Sequence, residues 1–76
     1  MPYKLSLLAP GSYDVILNGI IIASLVRSRS TDSAVWIAEL LVELPDGERP
    51  APFQRQEHVF TSLREAKGWL GISDPG

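Results

Sequence analysis

The sequence contains no cysteine and only one histidine, His58, among its 76 residues. Without cysteine, the chain cannot form a disulfide or a thiolate metal site, and nothing in it indicates an oxidising compartment. A metal site would require two or more His or Cys residues or clustered carboxylates, and no such spacing is present. We therefore expect no metal ion, and we expect His58 to be a surface or strand-edge residue.

Long apolar runs and a large net charge are also missing. The longest uncharged stretch, residues 15–26, has twelve residues, whereas a membrane-spanning helix needs about 20. The mostly apolar run at residues 5–9 is too short for a signal peptide. The net charge of −2 argues against indiscriminate binding to nucleic acid phosphates. These absences predict a cytoplasmic protein that does not bind a membrane.

The composition is that of a folded globular domain, because 45% of the residues are apolar and 21% are charged. We interpret residues 1–76 as a single small domain with its core in 13–71. The segment 1–11 is extended and is a possible extra strand, and 72–76 is a tail. A domain of this size buries only about 60% of the surface of its unfolded chain. Without disulfides or a metal, either an efficient core or self-association must stabilise it.

The strongest local signal is the dipeptide Asn18-Gly19, which lies between two strand-like segments, 13–17 and 20–26. Asn-Gly supplies the positive φ angles of a type I′ turn, so these residues predict a β-hairpin. A two-residue loop fixes the register of the two strands. The predicted pairs are Leu17 with Ile20, Ile16 with Ile21, and Val15 with Ile22.

Residues 35–44 predict a third strand, because one alternate set of positions, which includes Trp36 and Leu40, is entirely apolar. Helical spacing within this segment is the alternative. The loop at 30–33 precedes this strand, and a turn at residues 45–47 follows it. Residues 53–60 predict either a short fourth strand or an irregular edge.

The C-terminal part changes to helical spacing at Ser62. Ser62 and Glu65 have the spacing of a capping box, and Gly71 stands where a glycine commonly ends a helix. Gly68 lies inside this short helix, and we interpret it as allowing a close approach to the sheet. The predicted fold class is α+β, with a three- or four-stranded antiparallel meander and one C-terminal helix packed on one face.

The order of these parts resembles that of small three-strand-plus-helix modules, such as the AP2-like and phage-integrase arm-type DNA-binding domains. The resemblance covers residues 13–71 and rests on the hairpin, on WIAEL at 36–40, and on FTSLREA at 60–66 followed by WLG at 69–71. It implies that a sheet face rich in Arg, Lys and aromatic residues lies in a DNA groove. The corresponding strands of this chain carry Arg27 and Arg29 but otherwise Ile, Ala, Leu and Glu.

No catalytic pattern is present in the sequence. The glycines are scattered singly, so none forms a loop that cradles phosphate, and there is no nucleophile elbow for a Ser-His-Asp site. Glu39 and Glu43, four residues apart on a strand, would be about 13 Å apart, beyond the range of about 5–9.5 Å for glycosidase carboxylate pairs. We therefore predict that the protein is not an enzyme and has no cofactor.

The sheet carries apolar residues on both faces, although one helix can cover only one of them. An apolar centre with a charged rim is typical of an interface, so we predict an interaction module that binds itself or another protein. Residues 3–8 either cover this second face or add a strand beside it. The predicted interface residues are Ile16, Ile21, Ala23, Leu25, Val35, Ile37 and Leu41.

Nucleic acid binding is the alternative function, carried by Arg27, Ser28 and Arg29 at the end of the second strand and by the adjacent sheet face. Alternation places both arginines on the same side of the strand, and the neighbouring hydroxyls can bind phosphate oxygens. The same arginines would equally keep a strand end soluble and protect a sheet edge. The negative net charge favours that second interpretation.

Overall fold

The computed structural model describes residues 3–30 and 33–72 of the chain. They form a five-stranded antiparallel sheet with strand order β1-β2-β3-β4-β5, followed by a helix. The predicted α+β class, the meander and the C-terminal helix are confirmed. The elements are β1 (Tyr3–Ala9), β2 (Ser12–Leu17), β3 (Ile20–Ser30), β4 (Ser33–Leu40), β5 (Glu57–Phe60) and α1 (Leu63–Leu70).

The sheet has more strands than the three or four predicted, because both of its edges come from segments that the sequence left open. Residues 3–9 pair with β2, and residues 57–60 pair with β4. Residues 31–32 of the predicted loop and residues 73–76 of the predicted tail lie outside the described residues. Among the described residues, the structure has no helix with the length and apolar character needed to cross a membrane.

The hairpin between β2 and β3 turns at Asn18 and Gly19, as predicted. Their φ angles are 54° and 80°, and both are positive, as a type I′ turn requires. The first two predicted pairs are confirmed: Leu17 lies opposite Ile20, and Ile16 lies opposite Ile21.

The third predicted pair is wrong, because a β-bulge interrupts the register after the first two pairs. Val15 lies opposite Ala23 rather than Ile22, so that Ile22 is the extra residue on β3. A one-residue shift turns every following side chain to the other face of a sheet. The bulge therefore decides which residues of β3 face the core.

The third strand of the prediction is β4, and it ends at Leu40 rather than at Leu44. The helical alternative for this segment is wrong. Beyond Leu40, the Gln56 side chain adds to the backbone hydrogen bonds, since its amide donates hydrogen bonds of 3.0 Å to the carbonyl oxygens of Leu40 and Val42. These two hydrogen bonds hold the chain as it leaves the sheet.

The helix is capped at both ends by the predicted residues. The Ser62 hydroxyl accepts a hydrogen bond of 3.1 Å from the Glu65 N–H, and the Glu65 carboxylate accepts one of 2.9 Å from the Thr61 N–H. Gly71 ends the helix in the left-handed conformation with a φ of 78°. The close approach predicted at Gly68 is wrong, because Gly68 is exposed and a Cβ atom there would meet nothing within 4 Å.

The core lies between the sheet and a second layer that consists of α1 and the segment 41–56. Phe53 enters the core from this segment, and the Trp69 ring of α1 packs against it with 4.8 Å between ring centroids. We call this side of the sheet the inner face. The buried hydrophobic side chains are Tyr3, Val15, Leu17, Ala23, Leu25, Ala38, Leu40, Phe53, Phe60, Ala66 and Leu70.

Segment 41–56 reaches as far as the opposite edge of the sheet. The Tyr3 hydroxyl of β1 donates a hydrogen bond of 2.7 Å to the Ala51 carbonyl oxygen, and the Tyr3 and Phe53 rings lie 6.4 Å apart. Burial raises the pKa of Tyr3. The second layer thus extends from the helix to β1, and the first strand contributes to the core as well as to the sheet.

His58 joins segment 41–56 to the sheet. It lies on an edge strand, as predicted, but its side chain is buried rather than at the surface. Its Nε2 atom accepts hydrogen bonds from the backbone N–H groups of Gln54 and Arg55, at 3.1 and 3.2 Å. Burial, together with the charges of Arg55 and Arg49, lowers the pKa of His58. Only the neutral imidazole can accept both hydrogen bonds.

Candidate interaction surface

The side of the sheet opposite the helix, here called the outer face, has no second layer in the described part of the chain. The N-terminal segment adds β1 beside β2, so the alternative in which residues 3–8 cover this face is wrong. Alternation from the buried positions assigns the side chains of each strand to one face. The outer residues are Lys4, Ser6, Ser12, Asp14, Ile16, Ile21, Ser24, Val26, Ser28, Val35, Ile37, Glu39, Glu57 and Val59.

Two predicted interface residues, Ala23 and Leu25, do not belong to the outer face. Both side chains are fully buried, with 0% of their surface exposed, on the inner face. The bulge at Ile22 is the reason, because it turns the following residues by one position. Ser24 and Val26 take the outer positions instead. The sequence contains one sign of this bulge, because an unbroken alternation from Ile20 would place the Ser24 hydroxyl in the core.

One apolar row crosses the last three strands of the outer face. Val26 lies directly opposite Ile37, and Ile37 lies directly opposite Val59. Val26 is 39% exposed and Val59 is 57% exposed, whereas Ile37 between them is half-buried. Val35, two residues before Ile37, extends this row towards the start of β4. Ile37 and Val35 were predicted as interface residues, while Val26 and Val59 were not.

A polar row runs beside this apolar row and crosses all five strands. Successive pairs place Ser6 opposite Asp14, Asp14 opposite Ser24, Ser24 opposite Glu39, and Glu39 opposite Glu57. Its three carboxylates form no salt bridge with any described residue within 4.0 Å. The polar row therefore presents uncompensated negative charge across the middle of the outer face.

A second apolar row lies on the other side of the polar row. Ile16 and Ile21 face each other across β2 and β3, and Leu41 joins Ile21 in lining a hollow of about 280 Å³. Ile21 is 47% exposed and Leu41 is 59% exposed. The Leu41 N–H donates a hydrogen bond of 3.0 Å to the Ile22 carbonyl oxygen, which holds this corner together. The structure thus brings together the predicted residues Ile16, Ile21 and Leu41.

The three residues of the nucleic acid alternative do not lie together on one face of the sheet. Arg27 lies opposite Trp36, whose side chain is on the inner face, and alternation puts Arg29 on the same face. Both arginines are exposed. Ser28, which lies opposite Val35, points the other way. The two charge signs are therefore separated, with Arg27 and Arg29 on the side of the helix and the carboxylates of the polar row on the outer face.

No group of three or more His, Asp or Glu side chains within residues 3–30 and 33–72 is arranged to hold a metal ion.

No protein-family model, curated protein sequence or solved structure matches this chain. The resemblance to AP2-like and integrase arm-type domains therefore stays a prediction.

Proposed function

We propose that this chain is a small non-enzymatic interaction module that binds a protein through its outer face. The partner is a second copy of the chain or another protein. The proposal rests on the row Val26–Ile37–Val59, in which apolar side chains from three neighbouring strands lie side by side on the protein surface. Exposed apolar residues surrounded by polar ones are characteristic of protein interfaces.

The fold supports this function because it makes the outer face rigid. The sheet is fixed from behind by the core and by the aromatic side chains Phe53, Phe60 and Trp69. Side chains on a rigid strand lose little freedom on binding, so apolar contact there is not offset by a large entropic cost. Both apolar rows also lie next to charged groups, which keep the free protein soluble.

Nucleic acid binding through Arg27, Ser28 and Arg29 has less support. Sequence-independent binding to nucleic acid needs several cations that can neutralise phosphates together. Here the two arginines lie on the opposite side from the apolar rows, and the outer face carries Asp14, Glu39 and Glu57. Binding to duplex DNA at low salt that is lost in Arg27→Ala/Arg29→Ala would favour this alternative over the proposal.

The proposal can be tested by selecting peptides from an unbiased random library on the wild-type chain. Each selected peptide is then measured against the double variant Val26→Ser/Val59→Ser. The control is Leu7→Ser/Leu8→Ser, which removes two apolar residues of β1 that are more exposed than Val26 and Val59, at 62% and 61%. Sedimentation of the wild-type chain and both variants at micromolar concentration tests self-association in parallel.

We expect peptide binding, or self-association, to be lost in Val26→Ser/Val59→Ser and retained in the Leu7 and Leu8 variant. Thermal unfolding checks that both variants fold, and Val26→Thr/Val59→Thr replaces the serine variant if that one does not, since threonine keeps the β-branched shape. A strictly monomeric chain whose selected peptides bind both variants equally would contradict the proposal.

A further inference from the structure

The charges of the outer face restrict the chemistry of its partner. This inference rests on the proposed function. The two apolar rows form the contact surface, and the polar row between them decides what can be placed on it. Its carboxylates, Asp14, Glu39 and Glu57, have no cation among the described residues within 4.0 Å. Neighbouring strands are about 4.8 Å apart, so the carboxylates extend over about 14 Å between β2 and β5.

An entirely apolar partner would fit this face poorly. Covering Glu39 and Glu57 with apolar groups would remove two adjacent carboxylates from water without a partner, and burying an unpaired charge is costly. The apolar rows on each side are only two residues away along the strands, about 7 Å. A partner that contacts both rows therefore also covers the polar row. Its groups above that row must be hydrogen-bond donors or cations.

A second copy of the chain is also a poor occupant. Closed dimers have two-fold symmetry, which brings the same surface of each copy together. In a dimer that covers both apolar rows, the two-fold axis lies near the polar row, so the carboxylates of one copy would approach those of the other and like charges would meet across the interface. Lys4, at the β1 edge of the outer face, is the one described cation on that face, so the rows cannot neutralise each other.

We infer that the outer face binds a basic amphipathic segment of another protein, with Lys or Arg side chains above the polar row and apolar side chains in the two rows beside it. Such a segment matches the carboxylates with cations and the valines and isoleucines with apolar groups. Electrostatic complementarity of this kind selects the partner and speeds its association. The same charges repel nucleic acid from this face.

The test uses two synthetic probes, a short amphipathic peptide made only of Leu and Lys, and the same peptide with every Lys replaced by Glu. Binding to the full chain is measured by calorimetry at low and at high salt. The variant is Glu39→Gln/Glu57→Gln, which removes two carboxylates of the polar row while keeping side-chain size. The matched control is Glu43→Gln/Glu48→Gln, which changes the net charge equally at two exposed residues outside the strands.

We expect the Leu–Lys peptide to bind the wild-type chain and the control alike, and to bind Glu39→Gln/Glu57→Gln about tenfold more weakly. Salt should weaken binding to the wild-type chain more than to that variant. The Leu–Glu peptide should bind at least tenfold more weakly than the Leu–Lys peptide. Equal affinity of the two peptides, or equal loss in the two glutamine variants, would overturn the inference.

Failure of this inference and failure of the proposed function give different results. If Val26→Ser/Val59→Ser abolishes binding of library-selected peptides but those peptides carry no excess of Lys and Arg, the inference fails while the proposed function stands. A dimer through the outer face that Glu39→Gln/Glu57→Gln strengthens would likewise overturn only the inference. If the Leu–Lys peptide and the selected peptides all bind Val26→Ser/Val59→Ser as tightly as the wild-type chain, both fail.

Discussion

Glu39 of β4 lies directly opposite Glu57 of β5, and both side chains point to the outer face. Like charges that face each other across two strands destabilise a sheet, and favourable cross-strand pairs contribute about 0.2–1 kcal/mol. In the free protein this pair lowers the free energy of unfolding. A cationic partner on the outer face would reduce the repulsion between these two carboxylates.

Replacing one member of this pair with a cation should stabilise the free protein. We expect Glu57→Lys to raise the free energy of unfolding by about 0.5–1 kcal/mol at low salt, and less at high salt because salt screens exposed charges. Urea unfolding at two salt concentrations measures this. Glu48→Lys makes the same charge change in the exposed turn at residues 46–48 and serves as control. An equal gain from both variants would show that net charge, not the pair, is responsible.

Because of the bulge, Leu25 faces the core and Val26 faces outward, so we expect Asp substitutions at these adjacent residues to have opposite effects on folding. Leu25→Asp places a carboxylate in the core, where Leu25 has no exposed surface, and this should unfold the domain. Val26→Asp places the same group on the outer face, where Val26 is 39% exposed, and the chain should stay folded. Circular dichroism and urea unfolding distinguish the two variants. The opposite result would mean that β3 has the regular register without the bulge.

The two hydrogen bonds accepted by His58 predict a pH-dependent stability. In the unfolded chain the imidazole titrates near its ordinary value of 6.5, and burial lowers its pKa in the folded chain. Between these two values the unfolded state binds more protons, so the free energy of unfolding rises with pH. We expect the contribution to be complete above pH 6.5 and to be lost as the pH falls through the folded-state pKa.

Urea unfolding of the wild-type chain and of His58→Gln across this pH range measures the effect. The glutamine carbonyl can accept the N–H groups of Gln54 and Arg55 but does not titrate. The difference in stability between the two proteins should therefore shrink as the pH falls. A constant difference would show that protonation of His58 does not break these hydrogen bonds.

Gly68 offers a stabilising substitution in the helix. A Cβ atom at this position meets nothing within 4 Å, and glycine inside a helix costs about 0.5–1 kcal/mol relative to alanine. Gly68→Ala should raise the free energy of unfolding by about that amount. Gly71→Ala is the matched control and should destabilise the protein, because Gly71 has a φ of 78°. Stabilisation by both substitutions would contradict this account of the cap.

The local features of the fold were predictable because a few adjacent residues determine them. Asn18-Gly19 sets the turn through its positive φ angles, and Ser62 with Glu65 caps the helix through hydrogen bonds within four residues. The bulge was not predictable from hydrophobic pattern, since Ile20, Ile21 and Ile22 are interchangeable as apolar residues. Only Ser24, two residues later, distinguishes the registers, because its hydroxyl belongs on the outer face.

The candidate surface was predictable in part for the same reason. Alternation alone places Ile16 and Ile21 on the outer face, because the register is regular on their side of the bulge. It also places Val35 and Ile37 there, because β4 pairs with β3 in a regular register. Val59 and Glu57 were missed because a four-residue strand gives too short a pattern to distinguish from an irregular edge. The cover over the inner face depends on the long-range contact between Tyr3 and Ala51, which no local pattern encodes.

The most direct measurement maps the amide chemical shifts of the wild-type chain while the library-selected peptides are added. We expect the largest changes on β3, β4 and β5, around Val26, Ile37 and Val59, and no change on the exposed side of α1. Changes confined to α1, to residues 43–56 or to Arg27 and Arg29 would contradict the assignment of the outer face as the docking surface.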